Sequence, residues 1–185
     1  MRILKKIVIV VGILIAIPLI LAVFVKKDYK VEKEIVINKT KTEVFDYIKF
    51  LKNQDNYSKW NTIDPNMKKT YRGTDGTVGF IAHWESDNEE VGWGEQEIKN
   101  ITEGERIDFE LRFIKPFEAT EPVFMSTQTV GHNQTKVTWG FSGHMDYPFN
   151  IWMLFIDFEK MIGDDLQTGL EKLKTQLEKN KNEKH

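Results

Sequence analysis

The sequence predicts an α+β fold in which a curved antiparallel sheet of about seven strands wraps around one long C-terminal helix. Two observations indicate this class. Apolar and polar residues alternate through the middle of the chain, which is typical of half-buried strands. After Pro148, apolar residues recur at helical spacing instead, up to about Glu178. A separate apolar run near the N-terminus predicts one transmembrane helix in addition.

The N-terminal helix is predicted from residues 7–25, IVIVVGILIAIPLILAVFV, which carry no charged side chain. At about 1.5 Å per residue the run is about 28 Å long, close to the roughly 30 Å hydrocarbon core of a bilayer. The alternatives are a cleaved signal peptide, which usually has a shorter apolar core, and a buried helix of a soluble protein, which usually has a polar face. We interpret residues 1–27 as a membrane anchor and residues 28–185 as one folded domain.

The charges beside the apolar run indicate an orientation only slightly. Arg2, Lys5 and Lys6 precede the run, and three lysines follow it closely. The positive-inside rule therefore leans toward a cytoplasmic N-terminus and a domain on the extracytoplasmic side.

Composition excludes several function classes. The chain after the apolar run has a net charge of −5 and only three arginines, whereas a nucleic-acid-binding face is basic and rich in arginine. We expect no nucleic-acid partner. The absence of cysteine excludes disulfides, thiolate zinc sites and cysteine nucleophiles. No two of the four histidines stand at metal-ligand spacing, so we expect neither a metal site nor a cofactor.

The elements of the domain follow from local patterns. A first strand is predicted at residues 31–37, and Thr42 is the expected N-cap of the helix that follows it. A second short helix is expected at residues 54–60. The period of two then returns, with turn residues as separators. It predicts six strands, at residues 68–72, 78–85, 90–101, 106–114, 123–130 and 135–145.

The last helix is predicted from Pro148 to about Glu178, with one apolar stripe along its length and bends expected at Gly163 and Gly169. One face of the sheet is apolar and requires a cover. This helix is the only predicted element long enough to provide it.

Several segments in the same order resemble the helix-grip fold of the START-like, or SRPBCC, superfamily, and most closely its polyketide cyclase/dehydrase branch. The resemblance covers roughly residues 29–177. It implies a large, mostly apolar cavity between sheet and last helix, in which members hold lipids, sterols or polyketides, and a minority catalyse cyclisation. The segments that carry it are EIVIN (34–38), TEVFDYI (42–48), YSKW (57–60), GWG (92–94) and TKVTWGF (135–141).

The candidate ligand-binding residues are those that the strand phases place on the covered face. Aromatic walls with few polar groups are typical of apolar ligand sites, and Gln96 is the polar group expected to orient a ligand. The alternative is that the same aromatic residues fill a solid core. The predicted set is Phe80, Trp84, Gln96, Phe109, Phe113, Trp139 and Phe141.

No catalytic residue is predicted. Glu95 and Glu97 share a strand face and suggest an acid/base pair, but Ile98 lies in the opposite phase, so we expect both carboxylates to face water.

Residues 148–156 are apolar nearly all round, which indicates burial or an opening toward the bilayer. The sequence therefore predicts membrane-tethered binding of a hydrophobic small molecule or lipid. The alternatives are a cyclase/dehydrase-like enzyme and a protein-interaction domain with a filled core.

Overall fold

The computed structural model describes residues 2–179 of the 185-residue chain. The α-helices are α1 (Arg2–Phe24), α2 (Lys41–Ile48), α3 (Trp60–Ile63) and α4 (Phe158–Lys179), and 3₁₀ helices occupy Leu51–Asn56 and Phe149–Leu154. The strands are β1 (Asp28–Ile37), β2 (Lys68–Arg72), β3 (Ile81–Glu85), β4 (Trp93–Thr102), β5 (Arg106–Lys115), β6 (Ala119–Gly131) and β7 (Gln134–His144).

The seven strands form one sheet in the order β1-β7-β6-β5-β4-β3-β2, and every neighbouring pair is antiparallel. Register shifts in β4, between Trp93 and Gly94 and between Ile98 and Asn100, interrupt the ladder with β5. Such bulges increase local twist and bend a strand. The α+β class, the antiparallel sheet and the C-terminal helix are confirmed.

Helix α4 lies against one side of the sheet, mainly on β1 and to a smaller extent on β7. Two glycines allow this close approach. A Cβ on Gly169 would lie 2.7 Å from the Trp139 ring, and one on Gly163 would lie 2.7 Å from the Lys33 side chain. The apolar stripe of α4 completes the core through Leu166, Leu170 and Leu173. These glycines, which the sequence suggested as bends, thus lie where the helix meets the sheet.

The predicted N-cap of α2 is wrong by two residues. Thr40 caps the helix, because its hydroxyl accepts a hydrogen bond from the Glu43 N–H while the Glu43 carboxylate accepts one from the Thr40 N–H. This reciprocal pair is a capping box. The second helix, expected at residues 54–60, is replaced by the 3₁₀ helix Leu51–Asn56 and the short helix α3.

The C-terminal helix begins ten residues later than predicted. Pro148 precedes the 3₁₀ helix Phe149–Leu154, and α4 starts at Phe158. The Asp157 carboxylate accepts a hydrogen bond from the Lys160 N–H at 2.8 Å, an interaction typical of a helix N-terminus. The break separates residues 149–156 from the helix that covers the sheet.

Helix α1 is long and apolar enough to cross a membrane, and a signal sequence near the N-terminus would have the same properties. Its side chains are exposed apart from Ala22, which is buried against the domain. Pro18 lies within the helix without ending it.

Candidate ligand-binding groove

The strand register arranges the concave face of the sheet in rows of side chains that run across the strands. The most complete row is fully buried beneath the helices, and we call it the floor row. Its members follow one another from β1 to the start of β3, and they are Val31, Phe141, Val123, Phe109, Ile98 and Phe80.

Two further rows lie nearer the end of the sheet where β1 begins, next to α1. The middle row consists of Tyr29, Gly143, Glu121, Leu111, Gln96 and Ala82, and the mouth row of Ala119, Phe113, Gly94 and Trp84. Most of their side chains are only half-buried. Because α4 packs mainly on β1, these two rows leave a partly exposed surface on the concave face, apolar apart from Gln96 and Glu121, which we call the groove.

Glycines in the groove make space for large rings. A Cβ on Gly94 would lie 2.4 Å from the Trp84 indole, and one on Gly143 would lie 2.2 Å from the Tyr29 ring. The two aromatic rings therefore lie flat across their neighbouring strands. The Tyr29 ring also stacks with Phe141 and with Phe158 at the start of α4, so it forms the helix side of the groove.

The structure divides the predicted site residues into two groups. Phe80, Phe109, Trp139 and Phe141 are buried in the hydrophobic core, where they pack against one another and the helices. Trp84, Gln96 and Phe113 are half-buried and line the groove. Part of the aromatic set thus fills a solid core, and the accessible part lies toward one end of the sheet.

Glu121 belongs to the groove and was missed in the sequence, because the strand was predicted to begin only at Val123. It is almost fully buried, and its carboxylate accepts the His144 backbone N–H at 3.1 Å. Burial raises the pKa of this carboxyl above its ordinary value. The pKa of Tyr29 is raised to about 12, mainly by burial and to a smaller extent by the nearby Glu121 charge. The alternation of Glu121 with Val123 and Met125 is the signal that places it on the concave face.

Two concavities are measurable at this end of the sheet. One has a volume of about 330 Å³ and is lined by Tyr29, Glu121 and Gly143 together with neighbouring backbone and side chains of β1, β6 and β7. The other, of about 450 Å³, has a mixed lining in which Lys68, Glu85 and Asp87 accompany Ile63 and Trp93. None of the seven predicted residues lines either of them. The first lies at the lower end of the volumes of small-ligand sites and is widely open to solvent.

The convex face carries the two glutamates that suggested an acid/base pair. The Arg112 guanidinium donates to Glu95 at 3.0 Å, to Glu97 at 2.7 Å and to Glu110 at 2.5 Å. The hydrogen bond from Arg112 lowers the pKa of Glu97. The three carboxylates form ion pairs with one cation, on the opposite side of the sheet from the groove.

His144 links the two strands nearest to α1. Its Nδ1 lies 2.6 Å from an Asp28 carboxylate oxygen and its Nε2 lies 3.3 Å from Asp146. Both carboxylates raise the pKa of the imidazole. The ring is solvent-accessible. It lies at the end of β7 and makes an electrostatic contact with Asp28, the first residue of β1.

Comparison with known proteins identifies the fold. No protein-family model matches the chain, and no curated protein sequence matches it. A solution structure of a Thermobifida fusca protein is similar over 84% of this chain and 97% of that one, with a TM-score of 0.60 and 14% sequence identity. The domain has the helix-grip fold.

Two other solved structures agree with this assignment. The Aha1 dimer from Colwellia psychrerythraea is 15% identical over 83% of this chain and 99% of that one, with a TM-score of 0.57. Norcoclaurine synthase from Thalictrum flavum, in complex with a transition-state analogue, is 10% identical over 84% and 97%, with a TM-score of 0.59. Both structures share the helix-grip fold of this domain, as the sequence predicted.

Proposed function

We propose that this protein is a membrane-tethered binding module that holds a hydrophobic small molecule or lipid in the groove between sheet and C-terminal helix. The observation that carries the proposal is the half-buried apolar surface formed by Leu111, Phe113, Ala82 and Trp84. Each Å² of such surface that a ligand removes from water contributes roughly 25 cal/mol.

A few polar groups are available to orient the ligand. Gln96 and Glu121 flank Leu111 in the middle row, and the Tyr29 hydroxyl lies beside Gly143. The raised pKa values of Tyr29 and Glu121 favour their uncharged forms relative to an exposed site. This combination of apolar walls and few polar groups supports an amphipathic ligand with one small polar end.

The division of the chain is part of the proposal. Residues 1–27 would form the anchor, through the apolar run 7–25, and residues 28–185 the binding domain, on the extracytoplasmic side. Support comes from α1, whose exposed side chains are suited to lipid rather than water. The polyketide cyclase/dehydrase branch is retained as the proposed relationship on the sequence segments that resemble it.

A photoactivatable fatty acid tests the binding proposal on the full chain in phosphatidylcholine nanodiscs. We expect the label to be found by peptide mass spectrometry on the middle and mouth rows. Phe113→Ala should raise the concentration that gives half-maximal labelling by about threefold to tenfold, because a lost ring contact is worth about 1 kcal/mol.

Phe124→Ala is the matched control. Phe124 lies on the neighbouring strand but on the convex face, where the Arg106 guanidinium covers its ring at 3.8 Å. Its removal should leave labelling of the groove unchanged. Labelling that is spread evenly over both faces, or an equal response to both substitutions, would contradict the proposal.

A further inference from the structure

The end of helix α1 is joined to the domain by a buried hydrogen-bonded contact. The Asn150 side-chain amide donates to the Ala22 carbonyl at 2.7 Å and to the Val25 carbonyl at 2.9 Å. Asn150 is 0% exposed and Ala22 is 1% exposed. The last carbonyls of a helix have no partner within the helix, so Asn150 supplies the C-terminal cap of α1 from a distant part of the chain.

Two further contacts support this junction. The Met145 backbone N–H donates to the Lys27 carbonyl at 2.8 Å, and Lys26 forms an ion pair with Glu159 near the start of α4. Because β1 begins at Asp28, only three residues connect α1 to the sheet. The anchor is therefore fixed to the domain rather than attached through a flexible linker.

The side chains around Asn150 point into solvent although they are apolar. Phe149 is 64% exposed, Trp152 is 53% exposed and Phe155 is 75% exposed. Residues 149–156 carry no charge. Aromatic side chains, above all tryptophan, are enriched at the boundary between hydrocarbon and water in membranes. If α1 spans the bilayer, its last turn lies at this boundary, and Asn150 holds the segment at the same level.

We propose that residues 149–156 form an interfacial membrane contact that Asn150 fixes to the end of the anchor. The partner is the surface of the bilayer that α1 leaves. The inference rests on the proposed tether and deepens it. The mouth row lies at the same end of the strands as this contact. Phe117, an exposed residue in the β5–β6 connection, lies at that end too. A ligand thus enters the groove from the lipid side.

The absence of cysteine in the chain allows a direct test. Single cysteines that replace Phe155, Val78 and Ile15 are labelled with an environment-sensitive nitrobenzoxadiazole dye in the full chain, which is reconstituted in phosphatidylcholine vesicles. Val78 is an exposed apolar residue at the opposite end of the sheet, and Ile15 lies in the middle of α1. Nitroxide-labelled phosphatidylcholine is the quencher.

We expect the dyes at positions 155 and 15 to show blue-shifted emission and strong quenching, and the dye at 78 to show neither. A dye at 155 that resembles the one at 78, while the one at 15 is quenched, overturns the interfacial contact and leaves the tether intact. A dye at 15 that escapes quenching overturns the tether, and the interfacial contact with it.

Asn150→Ala tests the role of the cap. It removes both hydrogen bonds to α1, so quenching at position 155 should fall toward the level at 78 while quenching at 15 is retained. Asn53→Ala is the control, because Asn53 also donates to a backbone carbonyl, that of Tyr47, at a site far from α1. Circular dichroism confirms that each variant is folded. Unchanged quenching at 155 in folded Asn150→Ala would contradict the role of Asn150.

Discussion

Glu121 is the buried acid in a groove that is otherwise mostly apolar, and its environment is set by single contacts. The His144 N–H stabilises its ionised form, while removal from water disfavours that form more strongly. The outcome is a raised pKa, so the folded state holds this proton more tightly than the unfolded chain does. By linkage, the contribution of Glu121 to stability decreases as the pH rises from the ordinary carboxyl pKa through the raised one.

Glu121→Gln is expected to stabilise the domain at neutral pH. The substitution removes the buried charge but keeps an oxygen that accepts the His144 N–H. The melting temperature of the variant should exceed that of the parent at pH 7, and the difference should disappear as the pH falls toward about 4.5. Melting temperatures measured across this pH range check the expectation. Two curves that stay parallel would contradict it.

At the scale of elements, helix α2 depends on a cap, Thr40, that lies two residues before the one expected from the sequence. Thr40→Ala should lower the free energy of unfolding by about 1 kcal/mol, because it removes the side-chain half of the capping box. Thr42→Ala is the matched control, since Thr42 is exposed within the first turn and does not cap the helix. Urea unfolding of both variants separates the two positions. Equal losses would argue against Thr40 as the cap.

Helix α4 provides a second comparison at this scale. Alanine favours a helix over glycine by about 1 kcal/mol, so both Gly163→Ala and Gly169→Ala gain this term. At Gly169 the new methyl group meets the buried Trp139 ring, where overpacking costs about 1–3 kcal/mol. At Gly163 the closest atom belongs to the flexible Lys33 side chain.

Thermal unfolding should therefore rank Gly163→Ala at or above the parent and Gly169→Ala below it. The result would show where α4 is seated tightly on the sheet. The reverse order would mean that the helix is held at a different point.

At the scale of the whole molecule, the sheet was predictable because side-chain alternation is a local property. The bounds of β2 agree with the prediction at both ends, and β5 differs only at Lys115. What the sequence did not reveal depends on contacts between distant segments. The position of α4 follows from the fit of Gly169 on Trp139, and the separation of residues 149–156 follows from the bonds between Asn150 and α1.

The candidate site was predictable only in part for the same reason. Strand phase predicted the shared face of Trp84, Gln96 and Phe113, but phase alone does not show which residues of a face a helix covers. Glu121 was missed because the predicted strand begins at Val123; Pro122 between them is of a residue type that usually marks the margin of a strand. Here Pro122 lies inside β6, opposite Glu110.

The two outer strands of the sheet have a consequence for self-association. A bare strand edge offers unpaired backbone groups to a strand from another molecule. On β1, the Lys174 ammonium donates a hydrogen bond to the Val36 carbonyl at 2.6 Å. The Glu178 carboxylate accepts one from the Asn38 N–H just beyond the strand. On β2, the five-residue strand carries Lys68, Lys69 and Arg72. Edge-to-edge polymerisation into fibrils is therefore opposed on both flanks of the sheet.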